Sequence, residues 1–175
     1  MDYAAGVLIY HVTGNKIMYL LGHDFRRVWS DFGGKSDPYD EKLPHITAAR
    51  ECYEETMGVV RTLDFFQKST QECAFVEGKT YMMKKYFMYL VKLDDMNDYN
   101  ADMDIVKKFS LDEHLSEKNQ LRWVDENFIM NNPNIRKVFY NTFITNLNVI
   151  RNLCLTDTFK ELEVNNKKAN GRHNI

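Results

Sequence analysis

A chain of 175 residues, 44% hydrophobic and 27% charged, is long enough for one domain with a sizeable core and has the balance of a soluble globular protein. Its formal net charge of −2 gives no overall attraction to a polyanion, so any binding of phosphate or nucleic acid has to be local. No apolar run approaches the roughly 20 residues that span a bilayer, and the start Met1-Asp2 lacks the basic residues of a secretion signal. Cys52, Cys73 and Cys154 form neither an even set nor a Cys-x-x-Cys pair. The expectation is an intracellular, cytoplasmic protein with no membrane association, disulfide framework or structural zinc.

Residues 4–12, AAGVLIYHV, are apolar and β-branched, Gly14-Asn15 is a turn signal, and residues 16–21 resume as a second strand, which predicts an opening hairpin. His11 within it reads as a satisfied strand side chain. Phe25-Arg26-Arg27-Val28-Trp29 follows, where two guanidinium forks suit phosphate oxygens and an indole face can stack on a base. A Gly33-Gly34 turn is expected next, then a polar loop carrying Lys35, punctuated by Pro38 and Pro44.

Residues 46–56 have helical spacing. At 100° per residue, Arg50, Glu51, Glu54 and Glu55 fall within an arc of about 140°, and Ile46, Ala49, Cys52, Tyr53 and Thr56 fill the opposite side. Such a carboxylate face does not stabilise a helix. Each like-charge pair, such as Glu51 with Glu54 or Glu55, costs about 0.2–0.5 kcal/mol, and only Arg50 with Glu54 recovers a similar amount. Hard oxygen donors gathered on one rigid surface suit Mg²⁺ or Mn²⁺; the alternative is a solvated acidic face.

After this helix, residues 61–69 read as a mixed connector. Residues 72–76 and 81–93 read as strands joined by a Gly78-Lys79 turn, with Lys84 and Lys85 at the centre of the second. Residues 94–104 are acidic and Asn-rich and predict a loop. Residues 107–120 predict a short helix or irregular segment carrying Asp112, Glu113, His114 and Glu117, and residues 121–125 a strand. Residues 133–155 predict a long helix, with Ile135, Phe139, Phe143, Leu147 and Ile150 on one stripe. From residue 158 to 175 the composition turns to Lys, Glu and Asn, which suits a polar, flexible tail behind a single domain of residues 1–157. Neither a P-loop nor a dinucleotide fingerprint is present.

Gly34, Glu41, Arg50, Glu51, Cys52, Glu54, Glu55, Gly58 and Val59, in that order, resemble the Nudix box, the signature of the Nudix hydrolases. The spacing departs from the family's pattern in three places. Six residues rather than five separate Gly34 from Glu41, eight rather than seven separate Glu41 from Arg50, and Thr56-Met57 stand where one residue precedes the glycine. The first two departures lie in a loop, and the third moves the glycine that ends the helix. The tryptophan-valine pair Trp123-Val124 resembles a strand that often follows a loop of these proteins.

The resemblance implies an α+β fold, a Nudix-type α/β/α sandwich with a mixed sheet and a long C-terminal helix. It also implies a metal-dependent hydrolase acting on a phosphoanhydride in a nucleoside diphosphate derivative or dinucleotide. Mg²⁺ or Mn²⁺ would be held by Glu51, Glu54, Glu55 and the Gly33 carbonyl. Arg50 would orient the carboxylates, Arg26, Arg27 and Lys35 would reach the outer phosphates, and Trp29 would touch the substrate. A loop carboxylate, Glu113 or Glu117, is a candidate base or ligand. Alternatives within the family are mRNA decapping, with capped RNA as partner, and diphosphoinositol polyphosphate hydrolysis; outside enzymology it is a non-catalytic binding module of the same fold. Frequent Asn, Lys and Tyr suit an AT-rich genome, as in some large DNA viruses. The oligomeric state is open, a homodimer included.

Overall fold

The first strand, β1 (Ala4–Thr13), divides the molecule, because alternate side chains of a strand point to opposite faces of its sheet. Ala5, Val7 and Ile9 enter one core; Ala4, Leu8 and Tyr10 enter the other. The computed structural model describes residues 3–110 and 117–156.

β1 turns at Gly14, whose φ is +60°, into β2 (Lys16–Asp24), as the turn signal requires. β3 (Trp29–Ser30) pairs with β2, and β4 (Phe32–Lys35) comes back antiparallel to β1. β5 (Phe75–Lys79) and β6 (Lys85–Lys92) form the second hairpin, with β6 parallel to β1, and β7 (Lys118–Val124) pairs antiparallel with β2. The sheet is therefore mixed, with β1 at its centre.

Helices cover both faces. α1 (Pro44–Glu55), α2 (Leu63–Glu72) and α3 (Asn100–Phe109) bring Ala48, Ala49, Cys52, Phe66 and Met103 to the first core. α4 (Glu126–Asn131), α5 (Lys137–Thr145) and a helical stretch at 147–156 bring Ile129, Phe139, Phe143, Ile150 and Cys154 to the second. This is the α+β sandwich with a mixed sheet that was expected. None of the described helices is long and apolar enough to cross a membrane. His11 is a satisfied strand residue, its Nδ1 2.8 Å from the Leu93 carbonyl.

Several elements differ from the expectations. The connector at 61–69 is largely α2, started by Thr62, whose hydroxyl accepts from the Phe65 N–H. The acidic loop at 94–104 runs into α3, of whose residues Met103 is fully buried. The second hairpin turns at 80–84 rather than at Gly78-Lys79. Gly78 is a strand residue on which α5 sits so closely that a Cβ there would lie 1.9 Å from Thr142 Oγ1. Nor is the C-terminal helix one long rod from residue 133. Ile135 makes a parallel bridge with Trp29, which donates to the Asn134 carbonyl at 2.8 Å and accepts from the Arg136 N–H at 2.9 Å. The helix begins only at Lys137 and is interrupted at Asn146, whose amide donates to the carbonyls of Thr142 and, across to β5, of Glu77. Asp112, Glu113, His114 and the tail from 158 lie outside the described residues.

Candidate active site: a carboxylate helix against a glycine strand

Gly33 and Gly34 do not make a turn; both are strand residues of β4, and what they supply is closeness. The Ser36 N–H donates to the Tyr3 carbonyl, so the bonded pairs with β1 are 36/3, 34/5 and 32/7. Gly33 then faces Gly6 in a non-bonded pair, with its own N–H and C=O directed away from β1. A Cβ on Gly33 would stand 2.6 Å from the Gly6 Cα and 2.8 Å from the Tyr86 hydroxyl. A Cβ on Gly34 would fall 2.4 Å from Glu51 Oε2, so this glycine makes the room in which the Glu51 carboxylate lies.

α1 delivers its acids to that strand. Its N-terminus has Pro44 at the first helical position, where a missing N–H costs nothing. At its C-terminus the Met57 N–H donates to the Glu54 carbonyl and the Gly58 N–H to the Tyr53 carbonyl, a Schellman pattern. The extra residue before Gly58 puts Met57 (φ +55°) in the left-handed position usually held by glycine, and its side chain is buried in the first core. That burial offsets the backbone strain.

Glu55 is 3% exposed and accepts from the Gly33 N–H at 2.8 Å. Its other oxygen lies 3.4 Å from the ammonium of Lys118, itself 1% exposed, which also donates to Ser30 Oγ at 2.8 Å. Burial pushes the Glu55 carboxyl up to about 8; Lys118 opposes that shift, and the charges of Glu51 and Asp31 add to it. Burial also lifts Glu51, to about 7, against the pull of Arg50 and with the push of Glu54 and Glu117. Asp31 is lifted by burial to about 6, held from going higher by a hydrogen bond from the Tyr86 hydroxyl and by the charges of Arg136 and Lys118.

Arg50 ties this face together. It donates from Nη1 to Glu51 at 3.0 Å and to Glu54 at 3.1 Å, and from Nη2 to the Lys35 carbonyl at 3.1 Å. Its remaining bonds, at 2.9 and 3.0 Å, grip both oxygens of Asp40. Burial works against the Asp40 charge, yet the bonds from Arg50, the Asp37 N–H and Thr47 hold its carboxyl below the usual range. Asp40 therefore occupies the place in which the box resemblance puts Glu41, which is exposed at a left-handed turn position. The signal was in the spacing, since Asp40 and not Glu41 follows Gly34 after five residues. Lys118 had no such signal; it reaches the site across the strand pairing, and its chain passes where a Cβ on Gly22 would be 2.8 Å away.

Gly33, Gly34, Arg50, Glu51 and Glu55 line a polar cavity of 480 Å³. Glu51, Glu55 and Glu117 are in its wall, and Arg26, Lys35 and Arg136 bring cationic side chains to the same space. Of the residues singled out in the sequence, Glu54 joins the cluster through Arg50 and does not line the cavity. Arg27 (φ +64°) does not line it either; it takes the left-handed position of the turn that presents Arg26. Trp29 is 9% exposed, packed in the second core with His23 and Phe128, and touches neither this cavity nor the one beyond Gly33. Arg136 was not foreseen, because the extended residues that place it were expected to be helical.

As a cation site the donor set fits in chemistry: carboxylates, a main-chain carbonyl freed from the ladder, and a Gly34 cradle that a Cβ would fill. In the structure each helix acid is turned onto a side-chain cation, and among the described residues no three acidic, His or Cys side chains converge as a metal-binding group.

No family model matches the chain, and no curated protein matches it in sequence. Among solved structures it is similar to a C. elegans Ap4A hydrolase binary complex, with 22% identity over 70% of this chain and 79% of that one at a TM-score of 0.46. It is similar to a MutT protein from Methanosarcina mazei Go1, with 17% identity over 82% and 90% of the two chains and a TM-score of 0.46. The NUDIX domain of Shewanella oneidensis NrtR complexed with ADP ribose gives 10% identity over 81% and 82%, at a TM-score of 0.49.

Proposed function

We propose that this protein is a hydrolase of the Nudix kind that cleaves a phosphoanhydride bond in a nucleoside diphosphate derivative or a dinucleotide. The observation that carries the proposal is the single cavity lined by Glu51, Glu55 and Glu117, by Arg26, Lys35 and Arg136, and by the Gly33-Gly34 strand. Acid and base side chains in one cleft suit a diphosphate whose charge is shared between protein cations and a bound metal.

Mg²⁺ or Mn²⁺ would be held by Glu51, Glu54, Glu55 and the Gly33 carbonyl, and when bound would neutralise phosphate charge and lower the pKa of a water. The chain's own groups do the remainder. Arg26 and Lys35 bind and orient phosphate oxygens. Arg50, anchored on Asp40, holds the Glu51 and Glu54 carboxylates in place. Glu117, an exposed residue lining the same cavity, would take the proton of the attacking water.

The test is a panel of nucleoside diphosphate derivatives and dinucleoside polyphosphates incubated with Mg²⁺ or Mn²⁺, with products identified by mass. Cleavage at a phosphoanhydride, abolished by chelator, is the expected result. The grip of Lys118 on Glu55 favours a second reading, a binding module with its metal position taken by an internal cation. Nucleotide binding without turnover at any metal concentration would establish that reading instead.

A further inference from the structure

We propose that a second cavity, of 540 Å³ on the other side of β4, takes the base of the nucleotide, and that Asp31 selects a guanine-type edge there. This rests on the phosphoanhydride reading, since one ligand can enter both cavities only by crossing their common wall of Gly33, Gly34, Lys35, Ser36 and Arg136. The volume lies within the roughly 300–1,000 Å³ of small-molecule pockets.

The mouth of this cavity is apolar. Tyr81 and Met82, each 75% exposed, line it from the tip of the β5–β6 hairpin, in the only run of three consecutive exposed large hydrophobic residues among those described. The tip is closed by bonds from the Thr80 N–H to the Lys84 carbonyl and from the Met83 N–H to the Thr80 carbonyl. Met83, at φ +58°, takes the position where such three-residue turns ordinarily carry glycine or asparagine. The lining thus offers a tyrosine ring and a thioether on which a planar base can stack.

The floor is polar. Asp31 is 3% exposed and takes the Tyr86 hydroxyl bond, while that hydroxyl rests against Gly6 and Gly33. A carboxylate only accepts. Guanine offers it two adjacent donors, N1–H and N2–H, and an O6 acceptor that the Arg136 guanidinium of the same cavity can meet. Adenine would instead set its N1 lone pair against the carboxylate.

Binding of GMP and AMP, neither of which has an anhydride to cleave, is measured by calorimetry. GMP is expected to bind roughly ten-fold or more tightly than AMP. Asp31→Asn, whose amide both donates and accepts, should erase or invert that preference, with the melting curve confirming that the variant is folded. The exposed pair Tyr81→Ala and Met82→Ala should weaken both mononucleotides by roughly ten-fold and leave inorganic phosphate binding unchanged. Equal affinity for GMP and AMP, or an alanine pair that binds both as well as the parent, overturns the inference. Guanine-selective binding without hydrolysis of any anhydride would instead sink the proposed function and leave the base pocket standing.

Discussion

Glu51 and Glu54 differ in how they are held, and that difference sets what glutamine at each should do. Glu51 is desolvated and pressed against Gly34, so Glu51→Gln removes a charge that burial disfavours while its amide oxygen can still accept from Arg50. Turnover should fall by about 10²–10⁴ with the melting midpoint unchanged or slightly raised. Glu54, outside the cavity wall, should cost mainly metal affinity, seen as a higher Mg²⁺ requirement. Wild-type turnover for Glu51→Gln at saturating metal would remove it from the chemistry. The same burial gives a pH dependence. Glu55, Glu51 and Asp31 are lifted from 4.5, 4.5 and 3.8 to about 8, 7 and 6, so between about pH 4 and 8 the folded protein holds protons that the unfolded chain has released. Stability must then fall as pH rises through that window and level off above it. Melting in chelator from pH 5 to 8 should show the decline, and Glu55→Gln should flatten it; a midpoint that climbs over this range would contradict the burial of these acids.

At the level of elements, the contact of α1 with β4 depends on glycine. Gly34→Ala drives a methyl into the Glu51 carboxylate, whereas Gly33→Ala drives one into the Gly6 Cα and thus into the β1–β4 ladder. The first should depress activity more than stability, and the second should lower the melting midpoint by several degrees, since main-chain atoms cannot step aside. The two variants compared by turnover and by calorimetry test that division; equal unfolding by both would show that Glu51 cannot move from Gly34. Another element-scale expectation concerns the second hairpin. Met83→Gly relieves a left-handed side chain that is 69% exposed and should stabilise by about 0.5–1 kcal/mol in denaturant titration.

For the whole molecule, the net charge of −2, with Arg26, Lys35, Arg50 and Arg136 lining the first cavity and Lys84 the second, favours a small substrate over a long RNA. Each phosphate neutralised along a single strand adds about 0.7 to the slope of log affinity against log salt. A free cap dinucleotide and a capped RNA of about 30 nucleotides should therefore bind with similar, shallow salt slopes. A steep slope and clear preference for the RNA would put decapping first.

What the sequence by itself determined is what short-range periodicity encodes. The opening hairpin follows from alternation about Gly14, the acid face of α1 from its 3.6-residue repeat, and the second hairpin from apolar runs broken by turn residues. Glu51, Glu54, Glu55 and Arg50 were legible because they sit within two turns of one helix. The helices α2 and α3 were not, although both are amphipathic, because each is only ten residues long and α3 opens inside an acidic, Asn-rich run. Only the tertiary structure decided which groups meet. Lys118 and Glu55 are 63 positions apart by number and are paired because β7 lies against β2; Arg136 enters the site because residues 134–136 join Trp29 instead of extending α5. It also decided that Gly33 and Gly34 serve close approach rather than a turn, that Trp29 is core, and that Asp40 holds Arg50. Each depends on distances between segments remote in the chain, which are set by the packing of side chains across the sheet and have no local signature.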